Sequence, residues 1–153
     1  MSQQSVASLT RWSPVLVRLA VGIPMVVSGL GKVLAIGPKT SGIPGFSGFL
    51  VSLGVPLPIV AAWGVGLVEL VGGFLLLVGL FVRVTGALVA VNMLAATALV
   101  HLPEGYQSSE LTFALALVAV SLVLSGPGSL SLERALFGGE LLADGANPAA
   151  RAD

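Results

Sequence analysis

Glu69 lies about midway along an apolar run from Leu57 to Phe81. A carboxylate at such a depth costs ~2.5 kcal/mol or more in a bilayer, so it must face an interior and hold a partner or a proton. Two cations are in range by sequence, Arg18 and Lys32, both on the preceding apolar run. Side chains on a helix lean toward its own N-terminus. On two antiparallel spans this tips Lys32 and Glu69 toward one another and sends Arg18 the other way. The axial gap is about seven residues, roughly 10 Å by helix rise, within reach of two flexible side chains. The expectation is a buried Lys32–Glu69 pair, with Arg18 snorkelling to phosphate headgroups and Arg83 contacting headgroups at the same surface. Asn92, His101 and Glu110 are the remaining polar groups that could line a pocket beside the pair, open to the outer leaflet. His101 falls on a different helical face from Asn92, and a terminal histidine also reads as an interfacial residue. A buried ion pair serves helix register as readily as chemistry, so both readings stay open.

Four apolar stretches must position these groups: about Pro14 to Ile36, Leu57 to Phe81, Val84 to Leu102 and Glu110 to Ser125. The first two easily cross ~30 Å of hydrocarbon, while the fourth is short and needs flanking residues. In lipid the backbone must satisfy its own hydrogen bonds, so the stretches are helices. Arg18 and Lys32 inside the first argue for a retained span over a cleaved signal segment. Small and polar residues follow spacings of three and four on each: Arg18, Gly22, Met25, Gly29 and Lys32 on the first; Ala62, Gly66, Glu69 and Gly73 on the second. The third offers Asn92 with Ala95 and Ala96, and the fourth Glu110, Ala114, Leu117, Ser121 and Ser125. Such stripes mark contact faces where hydrophobicity cannot.

The few residues around Arg83 make the second and third helices a hairpin. Between the first and second, Pro44 to Leu53 places Phe46, Phe49, Leu50 and Leu53 on one helical face; this reads as a short interfacial helix or as a loop packed by its own aromatics. Gly126–Pro127–Gly128 stops the fourth helix. The expected fold is all-α: an integral membrane antiparallel four-helix bundle with a short interfacial helix between helices one and two. It divides into a polar N-terminal segment (1–13), the transmembrane domain (14–131), and an amphipathic surface helix from Leu132 to Leu142 with a disordered tail (132–153).

Composition agrees with a lipid environment. Of 153 residues, 56% are hydrophobic and 9% charged, against about 25% charged in an average soluble domain. Zero net charge and no basic block make nucleic acid an unsuitable partner. With no cysteine there is no disulfide, thiol exchange or thiolate-held cluster, and one histidine with three methionines is a poor set for haem. No metal site is expected. Arg11, Arg18, Arg83, Arg134 and Arg151 fall on the side of the termini, against Lys32 and Lys39 opposite, which by the positive-inside rule places both termini in the cytoplasm at the cell (inner) membrane.

The sequence resembles the DoxX family of small four-helix membrane proteins over about Val15 to Leu132. The resemblance rests on Arg18–Leu19–Ala20–Val21–Gly22 with Ser28–Gly29–Leu30–Gly31–Lys32, on Glu69–Leu70–Val71–Gly72–Gly73 with Gly79–Leu80–Phe81–Val82–Arg83, on Asn92–Met93–Leu94–Ala95 with His101, and on Gly126–Pro127–Gly128–Ser129–Leu130–Ser131–Leu132. Glu133 stands where many relatives have aspartate. The resemblance implies a four-helix membrane bundle and a redox accessory role. Some relatives are subunits of a thiosulfate:quinone oxidoreductase and others associate with redox or thiol-stress partners. It implies no settled catalytic residues.

Two functions emerge as expectations. One is an accessory subunit of a membrane redox complex, with a quinone near Lys32 and Glu69 and a redox-partner protein supplying the electron carriers; the chain would be an oxidoreductase subunit without a catalytic centre of its own. The other is a non-enzymatic membrane scaffold or small-solute carrier in which Lys32–Glu69 is structural. A channel is a weaker fit, since one polar layer makes no continuous polar path. Oligomeric state is not legible.

Overall fold

Leu-, Val- and Ala-rich stretches with few charges stay helical even through internal residues such as Gly22, Pro24 and Gly73, and their lengths set the architecture. The computed structural model describes residues 12–139. In chain order the helices are α1 (Ser13–Val33), α2 (Gly42–Ser52), α3 (Pro58–Val78), α4 (Val82–His101), α5 (Tyr106–Ser125) and α6 (Leu132–Phe137). Helices α1, α3, α4 and α5 are 20 or 21 residues long, enough to cross ~30 Å of hydrocarbon at 1.5 Å per residue. Their outward faces are apolar, with Leu124 75% exposed and Leu16, Val91 and Leu111 similarly bare. Such faces suit lipid rather than water.

The fourth span is longer than the sequence suggested. It begins at Tyr106, after Gly105, and the polar residues of its first turns bond locally: the Ser109 hydroxyl donates to Tyr106 O at 2.7 Å. The first span is shorter, ending at Val33. The chain then turns through Ala35 (φ 54°), and Lys39 lies back over Gly31.

Helices α1 and α3 approach closely because glycine removes side-chain bulk from both. A Cβ on Gly29 would lie 2.6 Å from Leu70 Cα, and one on Gly73 would lie 2.8 Å from Met25 Cβ. Two helical stretches are π turns, Val68–Gly72 in α3 and Thr97–His101 in α4. Each inserts one extra residue and rotates the rest of its helix. The core of Val21, Met25, Leu76, Val89, Met93 and Leu122 fills the bundle toward the end that carries the α3–α4 turn.

At that end α6 is stitched to the hairpin. The turn runs through Gly79 (φ 74°) and Phe81 (φ 50°), so Arg83 already belongs to α4. Glu133 N donates to Gly79 O at 3.0 Å, and the buried Glu133 carboxylate accepts from Val82 N at 3.3 Å, capping α4. Ser131 caps α6 by accepting from Arg134 N. The helix expected as far as Leu142 is described only to Phe137; its remainder, the tail and the N-terminal segment with Arg11 lie outside the described residues.

Three expectations need correction. Arg18 does not snorkel to the surface. It is 2% exposed, with Nη2 donating to Leu130 O at 2.5 Å and Nε to Pro14 O at 3.4 Å. Carbonyls of the folded-over 126–132 segment lie where the headgroup was expected. Arg83 likewise turns to protein: Nη1 donates to Val123 O (2.6 Å) and Leu124 O (3.3 Å), the open carbonyls at the end of α5. On α5 the expected stripe faces outward. Glu110, Ala114, Leu117, Ser121 and Ser125 are exposed, while Ser109, Ala116, Ala119 and Leu122 are buried. Serine misled because its hydroxyl needs no inward partner: Ser121 donates to Val118 O on its own helix.

Candidate functional site

At the opposite end of the bundle the core gives way to a cavity of about 500 Å³ between α2, α3 and α4. Its polar end begins with Lys32 in the last turn of α1. Lys32 Cβ faces Gly66 of α3, only three residues from Glu69, so the axial offset is about 4.5 Å rather than the 10 Å expected. The π turn of α3 then holds Glu69 toward α1 and α4 at once. Lys32 Nζ lies 2.5 Å from Glu69 Oε2 and 3.2 Å from Ser28 Oγ, one turn back on its own helix. Glu69 is 3% exposed. Asn92 Nδ2, from α4, donates to Glu69 Oε1 at 3.4 Å.

Helix α2 roofs this group. Phe46, Phe49, Leu50 and Leu53 form one face, as the spacing predicts, and all line the cavity. The Phe46 ring centroid is 4.9 Å from Lys32 Nζ, a cation–π contact, and Phe46 and Phe49 stack with centroids 6.3 Å apart. Ala61 and Val65 of α3 and Ala95, Ala96 and Leu99 of α4 make the apolar walls.

His101 reaches the same cavity because α4 is not a regular helix at its end. Nine α-helical residues from Asn92 make two and a half turns, which would put His101 on the opposite face. The extra residue in the Thr97–His101 turn leaves it only about 80° away. There His101 Nδ1 lies 3.8 Å from Glu104 Oε2, and both residues stand at the mouth. The structure therefore gathers Lys32, Glu69, Asn92 and His101. It leaves out Glu110, which is exposed on α5 and lines nothing here. Glu104, and not the Glu110 that the sequence reading expected, lines the cavity.

Sequence reasoning missed Glu104 and Phe46 as partners of charged groups and Ser28 as an acceptor. Ser28 sits four residues before Lys32 and Glu104 three after His101, spacings at which helical and turn neighbours meet. Phe46 carried no such signal. Among the described residues no group of three or more His, Cys, Asp and Glu side chains is placed to hold a metal ion.

The arrangement offers an apolar slot of ligand size ending in a carboxylate, an amide and an ammonium, with an imidazole at the entrance. It can bind and orient a ring bearing one or two polar atoms and hold a proton beside it. It has no group that carries electrons.

Comparison with known proteins bears on the whole bundle. A family model described as DoxX matches residues 13–102, the extent of α1 to α4. The chain is 32% identical over 126 residues, covering 82% of itself and 87% of the relative, to a protein of Bacillus subtilis (strain 168) named "Putative oxidoreductase CatD". No solved structure matches.

Proposed function

The chain belongs to the DoxX family and is a multi-pass membrane protein, and from that premise we propose that it is a quinone-interacting accessory subunit of a membrane redox complex. The observation that carries this is the cavity: about 500 Å³, apolar-walled, with Glu69, Asn92 and Lys32 at one end. Its size lies within the range of small-molecule sites, and its few convergent polar atoms suit a substituted ring. The oxidoreductase name of the relative points the same way. A quinone supplies the electron chemistry when bound. This chain's residues would hold the ring and exclude water, while a redox-partner protein provides the electrons. The cysteine-free sequence has no thiolate with which to do so itself.

The test is binding of a short-chain quinone to purified protein in lipid nanodiscs, with a search for co-purifying redox proteins from the native membrane. Saturable binding that disappears in Ala96→Trp, which fills the cavity while leaving Lys32–Glu69 in place, supports the reading. Absence of both binding and a redox partner overturns it.

A second reading, a scaffold or solute carrier with a structural ion pair, is favoured by the completeness of the Lys32 contacts: hydroxyl, carboxylate and aromatic ring together. Glu69→Gln separates the two. Lost function in a bundle of unchanged stability favours site chemistry; collapse favours structure.

The proposed orientation has both termini in the cytoplasm of the cell membrane, with Arg83 and Arg134 inside and Lys39 outside. Because the chain has no cysteine, Lys39→Cys in the exposed 34–41 loop is a clean reporter. A membrane-impermeant maleimide should label it on intact cells, and labelling only after lysis would reverse the orientation.

A further inference from the structure

The hydrogen-bonding capacity left at the polar end of the cavity is lopsided. An ammonium has three donors. Two of those of Lys32 go to Ser28 Oγ at 3.2 Å and to Glu69 Oε2 at 2.5 Å, and the Phe46 ring lies 4.9 Å from the ammonium. Lys32 therefore keeps a single N–H for a ligand, beside the Phe46 ring and on an ammonium already shared by a carboxylate and a hydroxyl. Glu69 is different. Its Oε2 is taken by Lys32, but Oε1 receives only the 3.4 Å contact from Asn92, long for a hydrogen bond to a carboxylate. A carboxylate accepts and does not donate, so the atom of Asn92 that can face it is Nδ2, and Oδ1 is left as a second acceptor. No hydrogen bond to Asn92 Oδ1 is found among the described residues, and Asn92 lines the cavity.

The strongest free atom at the end of the slot is thus a charged acceptor with a neutral acceptor beside it. The competing donors are the second N–H of Asn92, which is neutral, and the last N–H of Lys32, which the Phe46 ring crowds and whose charge Glu69 Oε2 already offsets. Hydrogen bonds to an ionised group are roughly twice as strong as neutral ones, and two acceptor oxygens brought together in a dry site repel. We propose that the cavity selects the hydroxyl-bearing, reduced form of its ring ligand (a hydroquinone or other phenol) over the carbonyl form, with Glu69 Oε1 accepting a hydrogen bond from the hydroxyl. This rests on the reading of the cavity as a quinone site and adds which redox form it holds. The step is binding only, and no electron moves in it.

The experiment measures dissociation constants of four probes on the full chain in lipid nanodiscs: a short-chain hydroquinone kept reduced, its quinone, 4-hexylphenol and its methyl ether. The last two repeat the comparison without redox chemistry. The expected result is binding of the hydroquinone and the phenol about tenfold or more tighter than of the quinone and the ether, the scale of one hydrogen bond to a charged group. Glu69→Gln, whose amide offers an N–H to a carbonyl, should erase or reverse the preference. Asn92→Leu removes the neutral donor and should leave the preference at tenfold or above, which serves if Glu69→Gln does not fold. Equal affinities, or a carbonyl preference in the unmodified protein, overturn the selection while leaving a quinone site standing. Collapse of the preference in Asn92→Leu overturns the assignment to Glu69. No binding of any probe overturns both this inference and the quinone site.

Discussion

Lys32 and Glu69 are the point at which one side chain decides most. Removing one partner leaves a charge in a low-dielectric interior, whereas removing both leaves an apolar contact of similar volume. Lys32→Met alone is therefore expected to cost about 3–5 kcal/mol, and Lys32→Met with Glu69→Met together much less. Chemical or thermal unfolding in one detergent checks this as a double-mutant cycle, and additive losses would contradict it. The pair was legible in the sequence because few charges lie inside the spans and because side-chain direction discriminates between two cations. Its depth was not. The offset between α1 and α3 depends on which glycines meet, and Gly66 against Lys32 cannot be told from other small-residue alignments by spacing alone. Arg18 shows the converse limit. Its type and position suit a headgroup equally well, and only the 126–132 segment folding back to present Leu130 O makes it a protein contact.

Among the elements, glycine contacts and π turns carry the geometry. Gly29→Val places a branched side chain where Leu70 backbone already lies. It should cost about 1–3 kcal/mol or more as the helices part, read as a lower thermal midpoint and loss of the Lys32–Glu69 contact. The α4 π turn makes a sharper prediction. Deleting Leu99 removes the extra residue and converts Thr97–His101 to regular helix, which leaves the His101 position eight α-helical residues from Asn92, still about 80° away and at the cavity. A cysteine substituted at His101 should be shielded by a bound cavity ligand in the parent and in the deletion alike, and loss of shielding in the deletion would contradict the π-turn account. Spans, hairpin and the roof helix were legible from runs of apolar residues, turn glycines and the Phe46–Leu53 spacing. A π turn leaves no comparable mark, which is why the regular helical phase put His101 on the wrong face. On α5 every residue after Phe113 is Ala, Leu, Val or Ser, so composition could not distinguish the buried from the lipid-facing side.

For the whole molecule, the bundle has two unlike ends. One is closed by core packing and by the stitch of α6 onto the hairpin turn; the other is hollow under α2. Stability and binding should therefore separate. Glu133→Ala removes the cap on Val82 and leaves a buried donor unmet. It is expected to cost about 1–3 kcal/mol and to raise proteolytic susceptibility after Ser125, with ligand affinity at the far end unchanged. Coupled loss of binding would show that the two ends act as one unit.

The stitch also has a consequence for how the chain is made. Glu133 comes 51 residues after Val82, so the α3–α4 turn leaves the ribosome well before the carboxylate that caps it. Arg18, made earlier still, meets its acceptor at Leu130 only then. The first three spans must therefore enter the membrane with an uncapped turn and an unshielded guanidinium. Completion of the fourth span and the segment after it would work as a late latch, joining the first span and the α3–α4 turn to the segment that follows the fourth. A nascent chain stalled before Leu130 should remain exchangeable with chaperones or insertion factors, and one released beyond Glu133 should not.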